Sequence, residues 1–114
     1  MGKPVVHFEV LSNDAAKLKT FYADLFDWKI DSNNPMNYGM VETGGEGGIN
    51  GGIGESPDAQ GVSFYVQVDD LQAYLDRAER LGGKTLMPPT EIPNVVTMAL
   101  LADPDGNRVG LVKG

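Results

Sequence analysis

The chain has 114 residues, 41% apolar and 22% charged, which suffices for one compact domain and is too short for two independent cores. Nine Lys and Arg stand against 16 Asp and Glu, a formal net charge of −7, so the basic footprint of a nucleic-acid binder is missing. The lack of cysteine excludes disulfides, thiolate zinc sites and cysteine nucleophiles.

Met1-Gly2-Lys3-Pro4 leads directly into a strand, with no long apolar run or small-residue cleavage site before it. No segment approaches the roughly 18 apolar residues of a membrane span. A cytoplasmic protein without a membrane partner is expected. In the first strand Val6, Phe8 and Val10 alternate with His7 and Glu9. A period of two gives one apolar and one polar face, and places His7 and Glu9 on the same face, about 6.5–7 Å apart along the strand.

Asn13 or Asp14 can cap the following helix, whose face is marked by Leu18, Phe21, Tyr22 and Leu25. Phe26 and Trp28, at its end, are assigned to the core. Shorter strands are expected at about 28–32, 37–43 and 50–53. The run Thr43-Gly44-Gly45-Glu46-Gly47-Gly48 lacks the Lys-Ser/Thr ending of a phosphate loop and a helix after it, so it reads as a mobile strand connection.

After a linker at about 54–60 the pattern begins again. Val62, Phe64, Val66 and Val68 alternate with Ser63, Tyr65, Gln67 and Asp69. Asp69 or Asp70 can cap a second helix carrying Leu71, Tyr74, Leu75, Ala78 and Leu81, which Gly82-Gly83 stops. Strands are expected at about 84–88, 95–102 and 108–112. Asp103-Pro104-Asp105-Gly106-Asn107 is a turn between the last two. Residues 87–93 carry three prolines and read as a bent edge segment able to rim a ligand site.

The two halves are copies. At an offset of 56, Val6, Phe8 and Val10 fall on Val62, Phe64 and Val66, Asp14 on Asp70, Leu25 on Leu81 and Ile30 on Leu86. One domain of two modules follows, module 1 at about 1–53 and module 2 at about 61–114.

The opening V-V-H-F-E-V followed by F-Y-A-D-L-F-D-W resembles the glyoxalase/bleomycin-resistance/extradiol-dioxygenase superfamily, also called vicinal oxygen chelate. V-D-D-L-Q-A-Y-L-D-R-A-E-R-L-G-G-K and D-P-D-G-N-R-V-G-L look like its second module. The resemblance covers almost the whole chain. It implies an α+β fold, tandem βαβββ modules forming an eight-stranded half-barrel with helices on the outer face. The concave face would hold the site, and a homodimer would be the assembly.

Metal-dependent members of this family hold a divalent ion with four inward ligands from the first and last strands of each module. Carried onto this chain, His7 matches the first position. The others fall on Ser63, on Gly110 and near Gly52, and a glycine has no side chain with which to ligate. Only His7 is retained, so no metal and no cofactor are expected.

His7 and Glu9 are the catalytic candidates, as imidazole titrates near neutrality and a carboxylate can take a proton from a carbon beside a carbonyl. Tyr65, Gln67 and Arg108 are the candidates for substrate binding. Expected is a metal-independent, glyoxalase-like protein that binds a small organic molecule, with lyase or isomerase chemistry if it is an enzyme. The alternatives are a drug-sequestering, bleomycin-resistance-like binding protein and a metal-dependent glyoxalase or dioxygenase. The acidic charge favours a neutral or cationic ligand.

Overall fold

The computed structural model describes residues 2–114. The elements run β1 (Val5–Ser12), α1 (Ala15–Phe26), β2 (Lys29–Asp31), β3 (Gly39–Glu42), β4 (Gly51–Glu55), β5 (Gly61–Val68), α2 (Leu71–Arg80), β6 (Lys84–Ile92), β7 (Val96–Ala102) and β8 (Arg108–Lys113). Eight strands and two helices in two βαβββ series give the α+β class that the repeat predicts. The chain divides into two compact units, residues 7–62 and residues 63–114 together with the first few residues. A hydrogen bond from Gln67 N–H to Pro4 C=O (2.9 Å) ties those first residues to the second unit.

The first module has strand order β2-β3-β4-β1 and the second β6-β7-β8-β5, the same arrangement twice. In each, the first and last strands pair in parallel (β1 with β4, β5 with β8), and the pairings of β2 with β3, β3 with β4, β6 with β7 and β7 with β8 are antiparallel. The 56-residue offset is visible at the helix starts. The Asp14 side chain accepts from Lys17 N–H and that of Asp70 from Ala73 N–H, each satisfying an orphan donor of the first turn.

Each helix covers one face of its own sheet. Val10, Ala15, Val41 and Ile53 form the buried core of the first module, with Phe8, Leu18, Tyr22, Trp28 and Ile30 packed around them. Val68, Leu71, Leu75, Ala99 and Leu111 do the same in the second, flanked by Val66, Tyr74 and Leu101. Ile53 and Leu75 are fully buried, worth about 1.5–3 kcal/mol each relative to an exposed side chain. The alternation of the sequence resolves as expected over the later part of each strand, with Phe8, Val10, Val66 and Val68 on the helix side, while Val6, Val62 and Phe64 at the strand starts are exposed.

Several elements depart from the sequence expectation. Phe26 is 53% exposed and meets the core at its edge, through ring contacts with Tyr22 and Trp28. α1 meets its sheet through Ala15, Leu18 and Tyr22, leaving Phe21 and Leu25 exposed. β2 is only three residues, and β3 begins at Gly39 because Asn37 adopts a left-handed backbone (φ 54°) that no strand accommodates. β6 is longer than expected and runs through Pro88 and Pro89. It is the edge strand of its module, and its pairing with β7 shifts register on both sides of Met87, so the missing proline N–H groups interrupt no central ladder. Among the described residues no helix is long and apolar enough to cross a membrane.

Candidate functional site

The polar face of the first module is set by strand register. Glu9 lies opposite Gly52, Gly52 opposite Met40, and Met40 opposite Asp31, so these four form one row across β1, β4, β3 and β2. Ile53 and Val41, one position on, point to the helix side and are buried. His7 precedes Glu9 by two residues and shares its face.

Tyr38, just before β3, brings the row to a focus. Its hydroxyl donates to Glu9 Oε2 (2.9 Å) and lies 3.2 Å from His7 Nε2. A phenol has one proton, and a carboxylate only accepts, so the hydroxyl accepts from His7 and the network assigns the Nε2–H tautomer. Burial pushes the His7 imidazole below its ordinary value of 6.5, against a smaller opposing pull from the nearby Glu9 charge. A neutral imidazole at neutral pH follows. Carboxylate, phenol and imidazole thus form one connected chain of hydrogen bonds.

Gly52 makes this arrangement possible. A Cβ built there would overlap the Tyr38 hydroxyl and ring, so only glycine lets the phenol lie against the strand. Gly54 also lies close under the same ring, which a Cβ there would meet at 3.1 Å, inside ordinary van der Waals contact. The loop before Tyr38 is closed by Asn34, whose Nδ2 donates to Tyr38 C=O (2.8 Å) and whose Oδ1 accepts from Tyr38 N–H (2.9 Å).

In the second module Tyr65 occupies the position that Glu9 has in the first, and it pairs with Gly110 as Glu9 pairs with Gly52. A Cβ at Gly110 would overlap the Tyr65 ring, which lies flat over the glycine and leaves the residue only 5% exposed. Gln67 is exposed and packs over Gly114. Arg108 opens β8 opposite Ala102 and is half-buried, as is Ser63. The structure thus joins His7 to Glu9 through Tyr38, while Tyr65 packs on its own strand neighbour and Gln67 and Arg108 lie apart from each other on β5 and β8.

The donor set does not fit the family's divalent ion. Positions 52 and 110 are glycines covered by tyrosine rings, position 63 is a serine, and the Tyr38 hydroxyl already engages both His7 and Glu9. No group of three or more His, Cys, Asp or Glu suited to a metal occurs among the described residues. No chemical step is therefore derived through a metal.

Sequence reasoning missed Tyr38 and Asn34. Two signals could have found the tyrosine. Period two extended back from Glu42 and Met40 puts Tyr38 on their face, and glycine inside a strand marks a close approach by another group.

Residues 5–111 match the pattern of the Glyoxalase/Bleomycin resistance protein/Dioxygenase superfamily. The chain belongs to this superfamily. A protein of Mycobacterium tuberculosis (strain CDC 1551 / Oshkosh), provisionally named a glyoxylase, is 30% identical over 113 residues covering 90% of this chain and 42% of that protein. The anthracycline biosynthesis protein DnrV of Streptomyces peucetius is 26% identical over 130 residues, 94% of this chain and 47% of that protein. The chain spans less than half the length of both relatives. A crystal structure of a superfamily member from Vibrio splendidus 12B01 superimposes with a TM-score of 0.67 at 16% identity, covering 99% of this chain and 100% of that one. That likeness establishes the glyoxalase-superfamily fold.

Proposed function

We propose that this superfamily member binds a small, neutral or cationic organic molecule bearing a carbonyl or hydroxyl group, without a metal, on the polar face of its first module. The observation that carries this reading is the Tyr38 hydroxyl held between His7 and Glu9 over Gly52. The phenol replaces an ion as the polar centre of the face, with Met40 beside it as an exposed apolar surface. The net charge of −7 supports a ligand that is not an anion. Gln67 and Arg108 are proposed as polar ligand contacts of the second module's own face, whereas the burial of Tyr65 suits it to packing. A cytoplasmic homodimer belongs to the same reading, and sedimentation of the purified chain checks the assembly.

The test is saturable binding from a panel of small aliphatic and aromatic carbonyl compounds, followed by protein NMR in the presence of EDTA. Within the first module, shifts centred on His7, Glu9, Tyr38 and Met40, and weakened at least several-fold in Tyr38→Phe, are expected. Binding that tracks added metal, or that ignores Tyr38, would sink the proposal.

The hydrogen-bonded chain favours a second reading, proton transfer beside a carbonyl. With substrate bound, the Tyr38 hydroxyl would turn its one proton from Glu9 to the carbonyl oxygen while keeping the bond it accepts from His7 Nε2–H, and the freed Glu9 carboxylate would take the proton from the carbon as the enol forms. Return of a proton to carbon completes an isomerisation or epimerisation. Deuterium entering the carbon position in D2O with wild type, and lost in Glu9→Gln, is the expected result. A His7→Ala variant with full turnover would contradict it.

A further inference from the structure

We infer that Asn34 is a positioning residue, the clamp that fixes the Tyr38 phenol between His7 and Glu9; this deepens the proposed function and rests on it. The connection from β2 to β3 must turn the chain and deliver one aromatic ring onto a bare strip of backbone. Asn34 does this with both ends of its amide, donating to Tyr38 C=O at 2.8 Å and accepting from Tyr38 N–H at 2.9 Å. A side-chain amide that satisfies the donor and the acceptor of a single distant residue fixes that residue's peptide planes on both sides.

Two further bonds show that the turn is built around this clamp. The Asn34 C=O accepts from Asn37 N–H (3.0 Å), and Asn37 takes the left-handed backbone, φ 54°, that asparagine tolerates better than most residues. Lys19 Nζ on α1 then donates to Asn37 C=O at 2.7 Å, anchoring the turn to the helix. Beyond Tyr38 the chain enters β3 directly at Gly39, which is buried, and a Cβ there would sit 2.9 Å from the Ile30 side chain. The ring is therefore constrained from both directions, by the clamp before it and by the strand after it. The Tyr38 hydroxyl is at the end of a long lever, so a small rotation of its backbone moves the oxygen away from His7 or Glu9.

Because His7 is the only histidine, one imidazole signal reports the state of the whole chain of hydrogen bonds. The experiment records the ring ¹⁵N shifts of His7 at neutral pH in wild type, Tyr38→Phe, Asn34→Ala and Asn34→Asp, with a thermal melt of each. Wild type is expected to show the Nε2–H tautomer. Tyr38→Phe, which removes the acceptor, is expected to move the signals toward a mixture. Asn34→Ala is expected to move them most of the way to the Tyr38→Phe position while the amide spectrum of residues 63–114 stays folded. Asn34→Asp keeps the acceptor for Tyr38 N–H but sets a carboxylate oxygen against Tyr38 C=O, so it is expected to move the shifts part of the way toward Tyr38→Phe, which tests the clamp even if Asn34→Ala loses its fold. Wild-type shifts in a folded Asn34→Ala or a folded Asn34→Asp would overturn the role of Asn34 and leave the proposed function standing. A Tyr38→Phe spectrum identical to wild type would instead bring down the proposed function.

Discussion

The two modules repeat one plan and put it to different ends. Both have the same strand order, the same aspartate cap at the start of the helix, and a glycine in the same register opposite the third polar-face position of the first strand. In both, a tyrosine ring lies where a side chain at that glycine would be. In the second module the tyrosine comes from the facing position itself, Tyr65, and the ring is buried. In the first, the facing position is Glu9, and the ring arrives from a loop with its hydroxyl directed at Glu9 and His7. One tyrosine is packed away over its own strand neighbour and the other joins two polar side chains. A glycine in this register is thus not an open position, and what covers it differs between the modules.

Substitutions at the two glycines should separate these roles. Gly110→Ala is expected to be the most damaging, because its Cβ overlaps a buried ring with no way out. Overpacking of this kind costs about 1–3 kcal/mol and occasionally more, and urea denaturation would measure it. Gly52→Ala should cost less than Gly110→Ala, since the Tyr38 ring is only half-buried whereas that of Tyr65 is buried. The comparison fails if the order is reversed.

Tyr38→Phe should cost about 1–2 kcal/mol in the same assay, since the half-buried hydroxyl gives up two hydrogen bonds, one to a carboxylate, while the ring still covers Gly52. The smallest effect is the pH dependence. In the unfolded chain His7 takes up a proton near 6.5, and burial holds its folded value lower. Between the two the unfolded state binds more protons, so stability falls as pH drops from about 6.5 through the folded value and levels off below it. Melts of wild type and His7→Asn across this range should differ by that slope; parallel curves would remove burial of His7 from the account.

The fold was legible because its signals are redundant. Period-two alternation in β1 and β5, aspartate caps 56 residues apart and the turn at residues 103–107 each point to the same pair of modules. His7 and Glu9 could be placed on one face because strand periodicity fixes direction. Tyr38 could not be found by the same means, since its position depends on a turn made by Asn34 and Asn37, and side-chain-to-backbone clamps leave no period in a sequence. Phe26 was misplaced for a related reason: which stripe of α1 faces the sheet depends on the angle at which the helix packs, and the core accepts Tyr22 and Trp28 instead.

The central claim is that the Tyr38 phenol stands in place of a metal ion on the His7 face. Its most direct test is titration of tag-free wild-type protein with Mn²⁺ and then Zn²⁺, observed through the imidazole signals of His7. No broadening or shift at one equivalent is the result predicted here. Stoichiometric loss or displacement of the His7 signals, with Tyr38 released from Glu9, would contradict it.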